Sequence, residues 1–264
     1  MASTAVLVSV TMAAIWAGGV WLTALLAAAA AVGAFELAGL ARGAGLRPVV
    51  PAAVVWSVAI MVAVHLYVAG DSLRVTVVPV LAGGAVVALA ALAFGRDFTA
   101  STRDFLATGG SALAAGGLLS FGLLLRGLED GSEWSVALVL VIAAADVGGY
   151  AVGTTLGRHK LAPAISPAKT WEGAAGGLAA AVGISIAAVA VFDLPVSVGE
   201  AAGLGALLWA GGLIGDLVVS AVKRRAGVKD SGHIVPGHGG LFDRLDSIVL
   251  NLVLAYYFVL WVAP

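Results

Sequence analysis

Long runs of apolar residues, cut by short charged connections, fill this chain from end to end and leave few folds open to it. A hydrocarbon layer about 30 Å thick takes about 20 helical residues to cross. The runs predict nine spans, near 4–17, 20–40, 49–68, 73–95, 105–126, 134–157, 170–192, 200–223 and 243–263. Hydrophobic residues make up 61% of the sequence and charged ones 11%, with a mean hydropathy of +1.06, far more apolar surface than a water-soluble core of this size needs. The runs lack the ten-residue alternation of a membrane barrel, so the backbone must satisfy its hydrogen bonds within each helix. The expected fold is an all-α, polytopic integral membrane protein of about nine transmembrane helices. At Gly18 and Gly19 the first pair can be either a very tight turn or one long bent segment. No basic stretch precedes the first run, which is therefore expected to be kept as a span and not removed as a signal peptide.

Topology follows from the cations. Counting alternate connections, Arg42, Arg47, Arg96, Arg103, Arg158, Lys160, Lys169, Lys223, Arg224, Arg225, Lys229 and Arg244 share one side, and only Arg74 and Arg126 fall on the other. Cytoplasmic loops carry the Lys/Arg excess, so the N-terminus and the basic connections are expected in the cytoplasm. The chain has no cysteine, which excludes disulfides, thiolate metal sites and a cysteine nucleophile. The net charge of −1 says nothing about partners, and no feature asks for nucleic acid.

Polarity is concentrated in SAVKRRAGVKDSGHIVPGHGGLFDRLD, residues 220–246. Upstream, Asp146 and Asp216 lie within predicted spans, where an ionisable group costs about 2.5–3.5 kcal/mol on insertion scales. Helical spacing stacks Asp216, Ser220 and Lys223 on one face, with Arg224 beside them. Asp243 and Asp246 share a face at the start of the last helix, where helix capping is the alternative reading. Three carboxylates from the last two helices, without cysteine, suit Mg²⁺, which commonly takes one or two carboxylates together with substrate phosphates and water. Between them Lys229, Gly232, His233, Pro236, Gly237, His238, Gly239 and Gly240 form a glycine-rich loop whose backbone could approach phosphate oxygens. Glu36 reads as structural or interfacial, and His65 and His159 as ordinary interface or loop residues. A second group runs from Asp146 and Tyr150 to Gly173. There Ser166 and Pro167 are expected to cap and open the seventh helix, placing Lys169 and Glu172 in its first turns. Lys169 could serve that helix start or an anionic phosphate.

These residues resemble the phosphatidate cytidylyltransferase (CDP-diacylglycerol synthase) family. Its signature, S-x-aliphatic-K-R, four residues, K-D-x-small, two residues, aliphatic-P-x-H-G-G-aliphatic-x-D-R-aliphatic-D, is met from Ser220 through Lys223, Arg224, Lys229, Asp230, Gly232, Pro236, His238, Gly239, Gly240, Asp243 and Arg244 to Asp246. SPAKTWEG, residues 166–173, is similar to a second family segment, with Ala168 where many members carry a basic residue; further upstream, Val147 follows Asp146 where a hydroxyl residue is frequent. The likeness is specific over about 146–173 and 216–247. Residues 1–104 match only in hydropathy, and 105–264 carry the motifs of what reads as a single membrane-embedded domain.

The resemblance implies transfer of a cytidylyl group from CTP to phosphatidic acid, giving CDP-diacylglycerol and pyrophosphate, at a cell membrane with the site facing the cytoplasm. It implies Asp216, Asp243 and Asp246 as Mg²⁺ ligands, with a second cation, K⁺ or Mg²⁺, allowed. Ser220 and Lys223 join the catalytic group. Asp146, Lys169, Arg224, Lys229, His238, Gly239, Gly240 and Arg244 are implied to line the substrate site. Membrane lipid is the expected surrounding and a homodimer is left open. A polyprenol kinase, an archaeol-type cytidylyltransferase and, as another class, a transporter are the alternatives.

Overall fold

The structure, a computed structural model, describes residues 2–73, 76–84, 98–228, 231–232 and 240–263; the side chains of residues 2–7, 98–100 and 244 stand outside that description. Helices account for nearly all of it. Seven are long and apolar enough to cross a membrane: Gly19–Gly43, Val50–Val68, Ser101–Arg126, Gly131–Thr155, Trp171–Phe192, Val198–Arg225 and Leu245–Val262. The all-α membrane reading holds. The first expected span includes a shorter apolar helix, Val8–Ala17. The fourth, 73–95, lies largely outside the described residues, with Arg74 and Arg96.

The chain divides into two compact units, Met1–Gly127 with Arg225–Leu245, and Leu128–Arg224 with Asp246–Pro264. In the first, α1 (Ala2–Ala17) and α2 (Gly19–Gly43) are separate helices. Gly18 and Gly19 hold φ of +62° and +48° between them, a left-handed conformation that suits glycine. Arg126 Nε donates 2.8 Å to the carbonyl of Ile15, placing a cation at the negative end of α1. Then come α3 (Val50–Val68), helical residues 76–84 (α4), and α5 (Phe98–Ala112), which runs through a π-helical turn, Leu113–Gly117, into α6 (Leu118–Arg126). Fully buried Ala34, Ala53 and Ala115, flanked by Leu37 and Val54, let α2, α3 and the π turn approach closely. Small residues are what allow helices to associate where lipid removes the hydrophobic drive between them.

The second unit is built on α7 (Gly131–Thr155) and α8 (Trp171–Phe192), which pack along a seam of glycines. A Cβ on Gly173 would stand 2.8 Å from the Gly149 carbonyl oxygen, and one on Gly177 2.9 Å from that of Ala145. The small-residue spacing at Gly173 and Gly177 therefore serves packing within one chain. Between the two helices lies a hairpin, β1 (Lys160–Ala162) antiparallel to β2 (Ser166–Thr170). This corrects the expected helix start. Ser166 and Pro167 are in β2, and α8 begins four residues later than that pair would start it, at Trp171, capped by Thr170, whose Oγ1 accepts the N–H of Gly173 at 3.1 Å. Ser-Pro is equally at home in extended backbone, because proline fixes φ without dictating a helix. Replacing Thr170 by alanine should lower stability by about 1 kcal/mol, the usual worth of such a cap, read as a fall in melting temperature in detergent. The unit is completed by α9 (Val198–Arg225) and α10 (Phe242–Val262), each contributing all but an end to it.

Candidate functional site

Lys169, from the upstream motif, is the last residue but one of β2 and lies within reach of α9. Its Nζ lies 2.5 Å from Asp216 Oδ2, with both side chains about one-third exposed or less. Asp216 Oδ1 accepts from Ser220 Oγ at 3.1 Å, one turn along α9, as the spacing requires. Asp146, on α7, lies within electrostatic range of both Lys169 and Asp216. Three elements of the second unit thus deliver two carboxylates and one ammonium to one place, and the two motifs read separately in the sequence meet there.

The hairpin is fixed to aim Lys169. Glu172, in the first turn of α8, accepts the backbone N–H of Arg158 at 3.1 Å and of His159 at 3.2 Å. Its other oxygen lies 2.6 Å from His159 Nδ1. His159 is accordingly a loop tether, and Lys160, next to it, pairs in register with Thr170, which adjoins Lys169.

On the neighbouring helix Asp246 is buried, at 8% exposure. Gly215, next to Asp216, packs so tightly on α10 that a Cβ there would collide with the carbonyl oxygen of Asp246. A glycine at this point lets α9 bring Asp216 past the backbone that carries Asp246. Lys223 is half-buried and Arg224 exposed near the end of α9.

Asp243 belongs to the first unit. Its Oδ2 accepts the backbone N–H groups of Ser231 at 2.9 Å and Gly240 at 3.0 Å, which is the capping behaviour that its place at a helix start allows. Lys229, His238 and Gly239 lie outside the described residues, as does the side chain of Arg244. Gly240 gives its N–H to Asp243, and its Cα faces Glu36 and Ser231.

Glu36, read from the sequence as structural or interfacial, is structural, though its partners were not foreseen. It is 2% exposed, on α2. Its Oε2 accepts from Ser231 Oγ at 3.0 Å and Phe242 N at 2.8 Å, and Oε1 accepts from Leu241 N at 2.9 Å. An acid within an apolar run was the available signal, and it gave no indication of a partner some two hundred residues away.

Among the described residues no group of three or more acidic or histidine side chains is gathered to hold a metal ion. The donor set at Asp216 nevertheless fits Mg²⁺, a hard cation that takes one or two carboxylates and completes its shell with water and phosphate. Asp146, Asp216 and Lys169 have a formal charge that sums to −1, a sign that does not favour a triphosphate. A divalent cation reverses that sign.

A family model described as the cytidylyltransferase family matches residues 1–262. Phosphatidate cytidylyltransferase of Mycobacterium bovis is 45% identical over 137 residues, covering 52% of this chain and 44% of that protein. That of Staphylococcus aureus is 42% identical over 126 residues, 48% of each. The chloroplastic phosphatidate cytidylyltransferase 5 of Arabidopsis thaliana is 42% identical over 134 residues, 48% of this chain and 33% of that protein. The matches thus span between a third and a half of the length of these relatives.

Proposed function

The chain belongs to the cytidylyltransferase family, and on that premise we propose that it transfers the cytidylyl group of CTP to phosphatidic acid, forming CDP-diacylglycerol and pyrophosphate. The observation that carries the reading is the 2.5 Å ion pair between Lys169 and Asp216, which joins the upstream motif to the downstream one. Relatives bearing the phosphatidate cytidylyltransferase name support it.

In this reaction an oxygen of the phosphatidate headgroup attacks the α-phosphorus of CTP. The bond from that phosphorus to the oxygen bridging to the β-phosphate breaks, and pyrophosphate leaves. The acceptor's phosphate is largely ionised at neutral pH, so no protein nucleophile and no strong base are needed. Ser220 and His238 act as hydrogen-bonding groups. Asp216 and Asp246, with Asp243 assisting, are the residues that would hold Mg²⁺, and a second cation, K⁺ or Mg²⁺, is compatible with the same carboxylates. When bound, the metal supplies charge stabilisation for attacking and leaving oxygens. Lys169 positions Asp216 and adds positive charge for phosphate. Asp146 sets the charge around that lysine. Lys223, Arg224, Lys229 and Arg244 neutralise the triphosphate and the departing pyrophosphate, and Gly239 and Gly240 belong to the same signature, in the glycine-rich stretch between Lys229 and Arg244. The Lys/Arg asymmetry supports a multi-pass protein of the cell membrane with its N-terminus and site on the cytoplasmic side.

The purified protein in detergent, given labelled CTP, Mg²⁺ and either phosphatidic acid or a polyprenol, tests the reading. Label entering phosphatidate-derived lipid with release of pyrophosphate is the expected result. Release of CDP with phosphorylation of the polyprenol would replace it with a kinase. Lys229→Ala should raise the apparent KM for CTP about tenfold, the loss of one charge-assisted phosphate contact, with phosphatidate KM little changed. An unaltered CTP KM would remove Lys229 from the nucleotide site.

A further inference from the structure

At the start of helix α10 neither Gly240, which has no side chain, nor Leu241, which has no side-chain acceptor, can cap its own N–H groups. The N–H groups of Leu241 and Phe242 go instead to the carboxylate of Glu36, on α2. The positive end of a helix favours an anion, and a buried carboxylate requires donors on both oxygens to offset its desolvation. Glu36 meets both conditions, and takes a further donor, Ser231 Oγ, from the opposite arm of the polar loop.

The two arms therefore close on one side chain. A Cβ on Gly232 would stand 2.7 Å from Glu36 Oε1, and one on Gly240 2.6 Å from Oε2 and 2.8 Å from the backbone nitrogen of Gly232. Residues 231–232 and 240–242 form a neck, closed by Glu36 from one side and by Asp243 Oδ2 on Ser231 N and Gly240 N from the other. A side chain at 232 would crowd the carboxylate, and one at 240 would crowd the carboxylate, the Ser231 hydroxyl and the backbone of Gly232. A cap from within the loop would fix the helix start alone, whereas Glu36 ties the helix start, the opposite arm and α2 together.

We propose that Glu36 is a positioning residue for the reaction: by clamping the neck at Ser231 and Leu241–Phe242 it fixes the start of α10, and with it Asp243, for the nucleotide triphosphate. Its kinetic consequence rests on the cytidylyltransferase reading; its structural consequence does not. Fixing a helix start removes ordering that binding would otherwise have to supply, and displacement of charged groups by about 1 Å is enough to cost about 100-fold.

The test uses the full chain in detergent, as Glu36→Gln and Ser231→Ala. Glu36→Gln turns an acceptor into an N–H₂ facing N–H and O–H donors. Amide hydrogen exchange at residues 240–242 should accelerate at least about tenfold, with α7 and α8 unchanged. The KM for CTP should rise about tenfold or more, with the KM for phosphatidate within about twofold. Ser231→Ala, which removes one donor and leaves Glu36 in place, should shift both readouts in the same direction by a smaller factor. Unchanged exchange at 240–242, or an unchanged CTP KM in a variant with faster exchange, overturns the proposal, as does equal loss for both substrates with faster exchange throughout. If Glu36→Gln does not fold, Ser231→Ala decides on the same criteria, and wild-type behaviour in it overturns the proposal. If the unaltered chain has no CTP-dependent transfer, the function proposed above fails, and exchange at 240–242 alone then decides the clamp.

Discussion

Asp216→Asn is expected to lower cytidylyl transfer by about 10³-fold or more, the scale of losing several kcal/mol of charge stabilisation in a transition state. Asparagine nearly preserves the shape of the side chain and can still accept from Ser220 Oγ through its carbonyl oxygen, so α9 should keep its packing. The substitution removes the charge that pairs with Lys169 at 2.5 Å and that a divalent cation would require. Mg²⁺-dependent incorporation of label into lipid, measured beside the melting temperature in detergent, separates lost chemistry from lost fold. Lys169→Met supplies the second comparison. If Asp216 served only to anchor the lysine, the two variants would be equally impaired. A metal role predicts that Asp216→Asn is the more severe and that added Mg²⁺ does not rescue it. Near-normal Mg²⁺-dependent turnover in the asparagine variant would end the assignment.

The second large effect is on stability. Gly148→Val should disrupt the α7–α8 seam, because even its Cβ would stand 2.6 Å from the Cβ of Ala180 and 2.8 Å from the carbonyl oxygen of Gly176. The second of these is backbone, which cannot rotate aside, so the helices must separate. Overpacking of this kind typically costs about 1–3 kcal/mol. Asp146 is two residues away on α7, and the hairpin that aims Lys169 leads into α8, so separation also displaces the two sides of the charge cluster. A melting temperature several degrees below the parent, together with reduced transfer, is the expected result. Gly183→Ala is the control: on α8 a Cβ at that position meets nothing within 4 Å, and alanine is the better helix former. A Gly148→Val protein as stable as the Gly183→Ala protein would show that the glycine seam does not hold the pair together.

Two residues show how far the sequence could be read. Asp216 and Ser220 are four apart on one helix, and the period of that helix brings them together, so their 3.1 Å contact was legible from spacing. At the start of α8, by contrast, Ser166-Pro167 looked like a cap, although the cap is Thr170 and the serine lies in a strand. Both arrangements satisfy the same local preferences. The pairing of Lys160 with Thr170 chose between them, and the tether from Glu172 to the loop at Arg158 and His159 supports that choice.

Glu36 marks the limit. An acid among apolar residues announces that something must repay its burial, and local pattern can say no more than that. By itself the sequence determined that the chain spans a membrane as helices, because lipid leaves the backbone no other way to satisfy its hydrogen bonds. It also singled out the side chains proposed for the chemistry, because charge in an apolar run is costly and must be offset by something. Tertiary structure alone decided the partners: Lys169 with Asp216, and Glu36 with Ser231, Leu241 and Phe242. Those pairings depend on which helices lie side by side, a property of packing over the whole chain that no residue's near neighbours encode.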